Sequence, residues 1–246
     1  MKHRSSFPAP VYRKNERGNV LFMILIAVAL IGLLSAAIMN GGNTDSANID
    51  DESLVIKASE VTRYASELER AVMYITQENA KSESDLRFAH PDNDAEYGNL
   101  ASDFDPSDQV FHRSGGGANY RLPSSGVNDG SKWEFYGGTA IPGAGSNRAD
   151  LVAVLPNVTQ QFCALINRNN GQTNTQPLDT GAGVASGGNP GECVNIGALG
   201  RFDDSQQFYS TVNTFDIASF TQVPALQACV QCSGGAYHFY HVLLAR

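Results

Sequence analysis

Hydrophobic and polar positions divide the 246-residue chain into three regimes. From Val20 to Met39, twenty residues run without a charge, with Ser35 the only polar side chain among them. At about 1.5 Å per residue such a run covers about 30 Å, one hydrocarbon core, and predicts a membrane helix. Gly41-Gly42-Asn43 then interrupts the pattern and predicts a hinge or a helix break. Beyond it, Asp45, Ser46, Asp50, Asp51 and Glu52 offer the cap and first-turn charges of a new helix. Leu54, Ala58, Val61, Ala65, Leu68, Val72 and Ile75 follow at alternating spacings of four and three, an amphipathic stripe ending near Lys81 or Ser84. Either that stripe lies on the domain's own sheet or it pairs with another chain in a coiled coil. Its alanines favour close packing on a sheet.

The third regime alternates short apolar segments with turns. Residues 88–129 are polar and turn-rich, with short strands expected at Gln109–His112 and Asn119–Leu122. Lys132–Tyr136 and Asp150–Leu155 read as strands of an antiparallel meander, Trp133 and Phe135 sharing one face. Thr159 caps a short helix to Asn167 that carries Cys163 and stops at Gly171. Residues 170–191 read as a long surface loop whose only apolar anchors are Leu178 and Val184. The last strand, Tyr237–Leu244, is expected beside Leu151–Leu155. The fold class expected is therefore α+β. A long N-terminal helix, half membrane and half amphipathic, packs on an antiparallel β-sheet domain with extended loops and disulfides. Its divisions are a leader (1–18), a hydrophobic helix (19–42), an amphipathic helix (43–84) and a β-rich globular domain (85–246).

Charge gives this layout a direction. Of 17 Lys and Arg and 25 Asp and Glu, five basic residues and one acidic residue fall in 1–18, leaving 12 against 24, a net of −12, for the remainder. A basic flank stays in the cytoplasm, so the acidic body is expected outside. Nucleic acid is excluded as a partner, because phosphate contacts require a clustered basic face. The four cysteines, Cys163, Cys193, Cys229 and Cys232, all lie in the last third. An even number in an exported domain favours disulfides, and closing the 170–191 loop favours Cys163 with Cys193.

The junction before the apolar run carries a resemblance. Glu16-Arg17-Gly18 followed by Asn19-Val20-Leu21-Phe22-Met23-Ile24-Leu25-Ile26 is similar to the N-terminus of type IV pilins and type II secretion pseudopilins. The resemblance implies cleavage between Gly18 and Asn19 by a prepilin peptidase and methylation of the new N-terminus. It also implies assembly with other pilin-like subunits through the hydrophobic helix. The expected location is then the inner membrane, single-pass with the C-terminal domain outside, in a cell-surface pilus or a periplasmic pseudopilus. Met23 stands where many members carry a glutamate, an absence that fits either a minor, tip-like subunit or a simple anchor. The alternatives are a secretory signal cut near Ser35-Ala36-Ala37 and an uncut anchor holding an extracytoplasmic binding or enzymatic domain.

No residue pattern assigns catalysis, and neither a catalytic residue nor a cofactor is expected. Gly-x-Ser-x-Gly, His-Glu-x-x-His and phosphate-loop signatures do not occur. Cys229-Val230-Gln231-Cys232 lacks the strand and helix that flank a redox pair. A zinc site with His238 and His241 would place the two histidines on opposite sides of one strand. Structural disulfides are the expectation there, with no metal. Asp92, Asp94, Glu96 and Asp103, Asp105, Asp108 raise calcium, but neither run has the spacing of a calcium loop.

Overall fold

The amphipathic stripe does what its spacing dictates. Ala58, Val61, Ala65, Leu68, Val72 and Ile75 are all buried, with Leu54 packed at the margin. They lie on helix α1 (Arg17–Gln77) and pack in one core with Trp133, Phe135, Leu151, Ala153, Leu155 and Phe239. The stripe therefore meets the domain's own sheet. The computed structural model describes residues 17–99, 105–172, 177–179, 194, 201–202, 208, 213–232 and 234–246; within α1, side chains are described at 22–33 and from 51 onward. The chain divides into two compact units, Met1–Glu52 and Ser53–Arg246.

In the second unit, β1 (Glu134–Ala140), β2 (Asp150–Leu155), α2 (Gln160–Asn169), β3 (Leu178–Asp179), β4 (Asn213–Thr214), β5 (Gln227–Cys232) and β6 (Tyr237–Leu244) follow in order. They form one sheet in the order β3-β5-β6-β2-β1-β4. Its middle is antiparallel: β1 pairs with β2, β2 with β6 and β6 with β5. β2 is buried at all six positions because both faces are covered. Leu151, Ala153 and Leu155 face the helices, while Val152 and Val154 join Tyr136, Ala228, Val230 and Tyr240 in a second cluster with Ile141 and Phe215. The pairing of the last strand with Leu151–Leu155 and the Thr159 cap, which accepts the Phe162 N–H, agree with the sequence pattern.

Four expectations are corrected. The sheet is mixed, since β4 lies parallel to β1 and β3 parallel to β5. These edge strands are two residues each and too short to show any alternation; β3 falls inside the stretch read as a loop. No helix among the described residues is long and apolar enough to cross a membrane. No break occurs at Gly41-Gly42, where the backbone stays helical. Each glycine costs about 1 kcal/mol in a helix interior, but extending a formed helix needs no new nucleus. Finally, Gln109–His112 and Asn119–Leu122 form no strand. Gln109 makes one isolated bridge to Arg87, and Pro106–Asp108 is a 3-10 turn.

Candidate functional site

α1 begins at Arg17, so Gly18 and Asn19 occupy its first turn, where no acidic residue offsets the helix dipole. Backbone from Val20 to Ile26 is helical. Phe22, Met23, Ile24 and Leu25 are 58–64% exposed, Ile26 is 40% exposed, and Val28, Leu30, Ile31 and Leu33 are exposed to a similar degree. At about 100° per residue these side chains point in every direction, so this stretch has no polar face. A helix apolar all round is stable in covered form, and burying each such side chain gains about 1.5–3 kcal/mol. The leader before Arg17 lies outside the described residues.

The cysteine region is built differently from expectation. Cys163 bonds to Cys229 rather than to Cys193, their Cα atoms 5.3 Å apart. α2 packs on β5, and that packing, not nearness in sequence, selects the partner. Cys232 is disulfide-bonded too, while Cys193 lies outside the described residues. Neither sulfur of Cys229-x-x-Cys232 is thus a thiol for metal or redox chemistry. His238 accepts the Asn157 N–H on Nδ1 at 3.2 Å. His241, on the opposite face, meets Gln227 Oε1 at 3.0 Å and Glu69 Oε2 at 2.8 Å, fastening β6 to α1. Among the described residues no group of three metal-ligating side chains occurs. The acidic loops are tied down singly: Asp105 to Lys81, Asp94 to Lys132 at 3.4 Å and Glu96 to Arg201 at 3.5 Å. Lys81 and Ser107 hold the Asp105 carboxyl down at about 2. Asp103 lies outside the described residues.

Two buried polar side chains escaped the sequence reading. Asn167 on α2 donates its amide to Cys229 O and accepts the Cys229 N–H, both at 2.8 Å, completing the ladder at Cys229 on the side of β5 turned away from β6. Asn167→Ala strands both backbone groups, so it is expected to lower unfolding free energy by about 2 kcal/mol in denaturant titration. Asp150 accepts the N–H of Ile141 and of Arg246, each at 2.8 Å, while burial pushes its carboxyl above the usual range. Helix caps and strand alternation have no equivalent signal for such residues.

A groove of about 240 Å³ opens between α1 and the 121–124 segment, lined by Glu60, Arg63, Tyr64, Arg121, Leu122 and Trp133 among others. Ser124 Oγ donates to Glu60 Oε2 at 2.7 Å, and Arg121 pairs with Glu67 at 3.0 Å while its guanidinium lies over the Tyr64 ring. Trp133 is 1% exposed and meets Tyr64 edge-on at 5.4 Å. No spacing in the sequence links these three distant segments. No family model, curated protein or solved structure matches this chain.

Proposed function

We propose that the chain is a pilin-like structural subunit of the minor-pilin or pseudopilin type. A prepilin peptidase processes it after Gly18, and it assembles with other pilin-like subunits through the apolar N-terminal part of α1. It works at the inner membrane with its C-terminal domain outside the cytoplasm, as a structural component rather than an enzyme. The observation that carries this reading is the apolar stretch beside the Gly18-Asn19 junction. Phe22, Met23, Ile24, Leu25, Leu30, Ile31 and Leu33 are exposed around the whole helix, a surface that lipid or equivalent helices of neighbouring subunits would cover. The split between a basic leader and an acidic body supports the same orientation. Met23, in place of a carboxylate, supports a minor position.

Intact-mass analysis and N-terminal sequencing of the protein from its native membrane fraction test the reading. The expected mature chain starts at Asn19, and Gly18→Val leaves the leader attached. A mature chain that starts at Met1 or near Ile38, or Gly18→Val processed like the parent, would sink it.

A further inference from the structure

We infer that the chain is a client of a disulfide isomerase, a dithiol protein that reshuffles bonds first made between the wrong cysteines. The inference rests on the proposed location of the C-terminal domain, outside the cytoplasm, where disulfides form as the chain emerges. Its ground is the native pairing, which runs against both distance and order. Cys163 bonds to Cys229 across 66 residues, past Cys193. Cys232 is bonded as well, which leaves Cys193 as the one cysteine of this chain available to it. The unfolded chain favours other partners: Cys193 lies 30 residues from Cys163, and Cys232 three residues from Cys229. Closing a ring of 30 rather than 66 residues is favoured about threefold. Emergence from the N-terminal end adds to that bias, because Cys163 and Cys193 meet oxidant before Cys229 does.

Oxidised glutathione or a disulfide-bearing oxidoreductase makes the local bonds, taking two electrons from each pair of thiols. A chain holding them cannot join Cys163 to Cys229, so its sulfurs stay open to attack while α2 is undocked from β5. An isomerase thiolate attacks the Cys193 sulfur and expels Cys163 as a thiolate. Cys163 then attacks the Cys229 sulfur of a Cys229–Cys232 bond and expels Cys232. Finally the Cys232 thiolate attacks Cys193 in the mixed disulfide and returns the isomerase thiolate. Two disulfides enter and two leave, so this exchange consumes no oxidant. It stops at the native pairing, because Cys163 and Cys229 are then fully buried, beyond the reach of a thiolate.

The purified full chain in mild detergent is reduced in urea, diluted out of it and reoxidised with oxidised glutathione, alone or with a disulfide isomerase. Samples blocked with N-ethylmaleimide are peptide-mapped without reduction. With glutathione alone, the early map is expected to hold Cys163–Cys193 at about three times the level of Cys163–Cys229 or more. The isomerase is expected to raise the parent's final yield of Cys163–Cys229 severalfold. A double variant, Cys193→Ala with Cys232→Ala, keeps the native partners alone and should reach their bond equally well without isomerase. The parent's maps decide the matter even where that variant folds poorly. Refolding in vitro involves neither the leader nor the membrane, so these results stand apart from whether the mature chain starts at Asn19. The inference is overturned by any of three results. These are Cys163–Cys229 leading the early map, an isomerase that leaves the parent's final yield unchanged, or one that raises the double variant's yield as much as the parent's.

Discussion

Replacing Cys163 and Cys229 together by alanine is expected to lower the unfolding free energy by about 4 kcal/mol, the value for a ring of this size in the chain-entropy account. The bond spans 66 residues of sequence, so reduction frees a long segment of the unfolded chain. For a domain of roughly 200 residues that corresponds to a fall in melting temperature of roughly 10 °C. The native fold should survive, because α2 keeps its grip on β5 through the two Asn167 bonds to the Cys229 backbone. Thermal unfolding of the double variant beside the parent, each with and without reductant, reads the effect. The parent should fall under reductant while the variant falls less, since only Cys232 and its partner remain to be reduced. Peptide mapping without reduction should return the Cys163–Cys229 cross-link and identify the partner of Cys232. A cross-link between Cys163 and Cys193, or a double variant as stable as the parent, would remove the basis of the estimate.

That disulfide also marks where sequence reasoning reaches its limit. Local periodicity carries real information about burial: the stripe from Ala58 to Ile75, the β2 run and the Thr159 cap each follow from forces acting within a turn or a strand. The partner of Cys163 depends on how α2 docks against β5, a long-range consequence of packing with no local signature. The same holds for β3 and β4, where two residues each join the sheet edge in parallel, and for Asn167, whose side-chain amide completes the ladder at Cys229. The groove is the extreme case. Arg63 reads as a solvated helix charge and Trp133 as a core aromatic, and only the fold brings them together. The Gly41-Gly42 pair errs the other way, since an intrinsic preference for a break is outweighed by helical continuity on both sides.

Acidification is expected to destabilise the domain through His238 by about 3 kcal/mol between pH 6.5 and 4. The side chain is 4% exposed, and burial pushes its imidazole down to about 4, with the Asp129 charge opposing the shift. Its Nδ1 accepts the Asn157 N–H, and Asn157 in turn donates to Asp129 at 3.0 Å, so the neutral ring is the form that fits. In the unfolded chain the same histidine titrates near 6.5. Between those two values the unfolded state binds a proton that the native state refuses, so unfolding becomes easier as pH falls. The stability is fully present above about 6.5 and is lost progressively down to about 4, at roughly 1.4 kcal/mol per pH unit. Urea midpoints measured from pH 7 to pH 4 should fall accordingly. His238→Asn keeps an oxygen to accept the Asn157 N–H but cannot titrate, so its midpoint should fall less steeply over that interval. His241→Gln serves as the control, because it removes the other strand histidine, at the Glu69 contact on the opposite face. Equal slopes for His238→Asn and the parent would show that the acid sensitivity arises from the carboxylates instead.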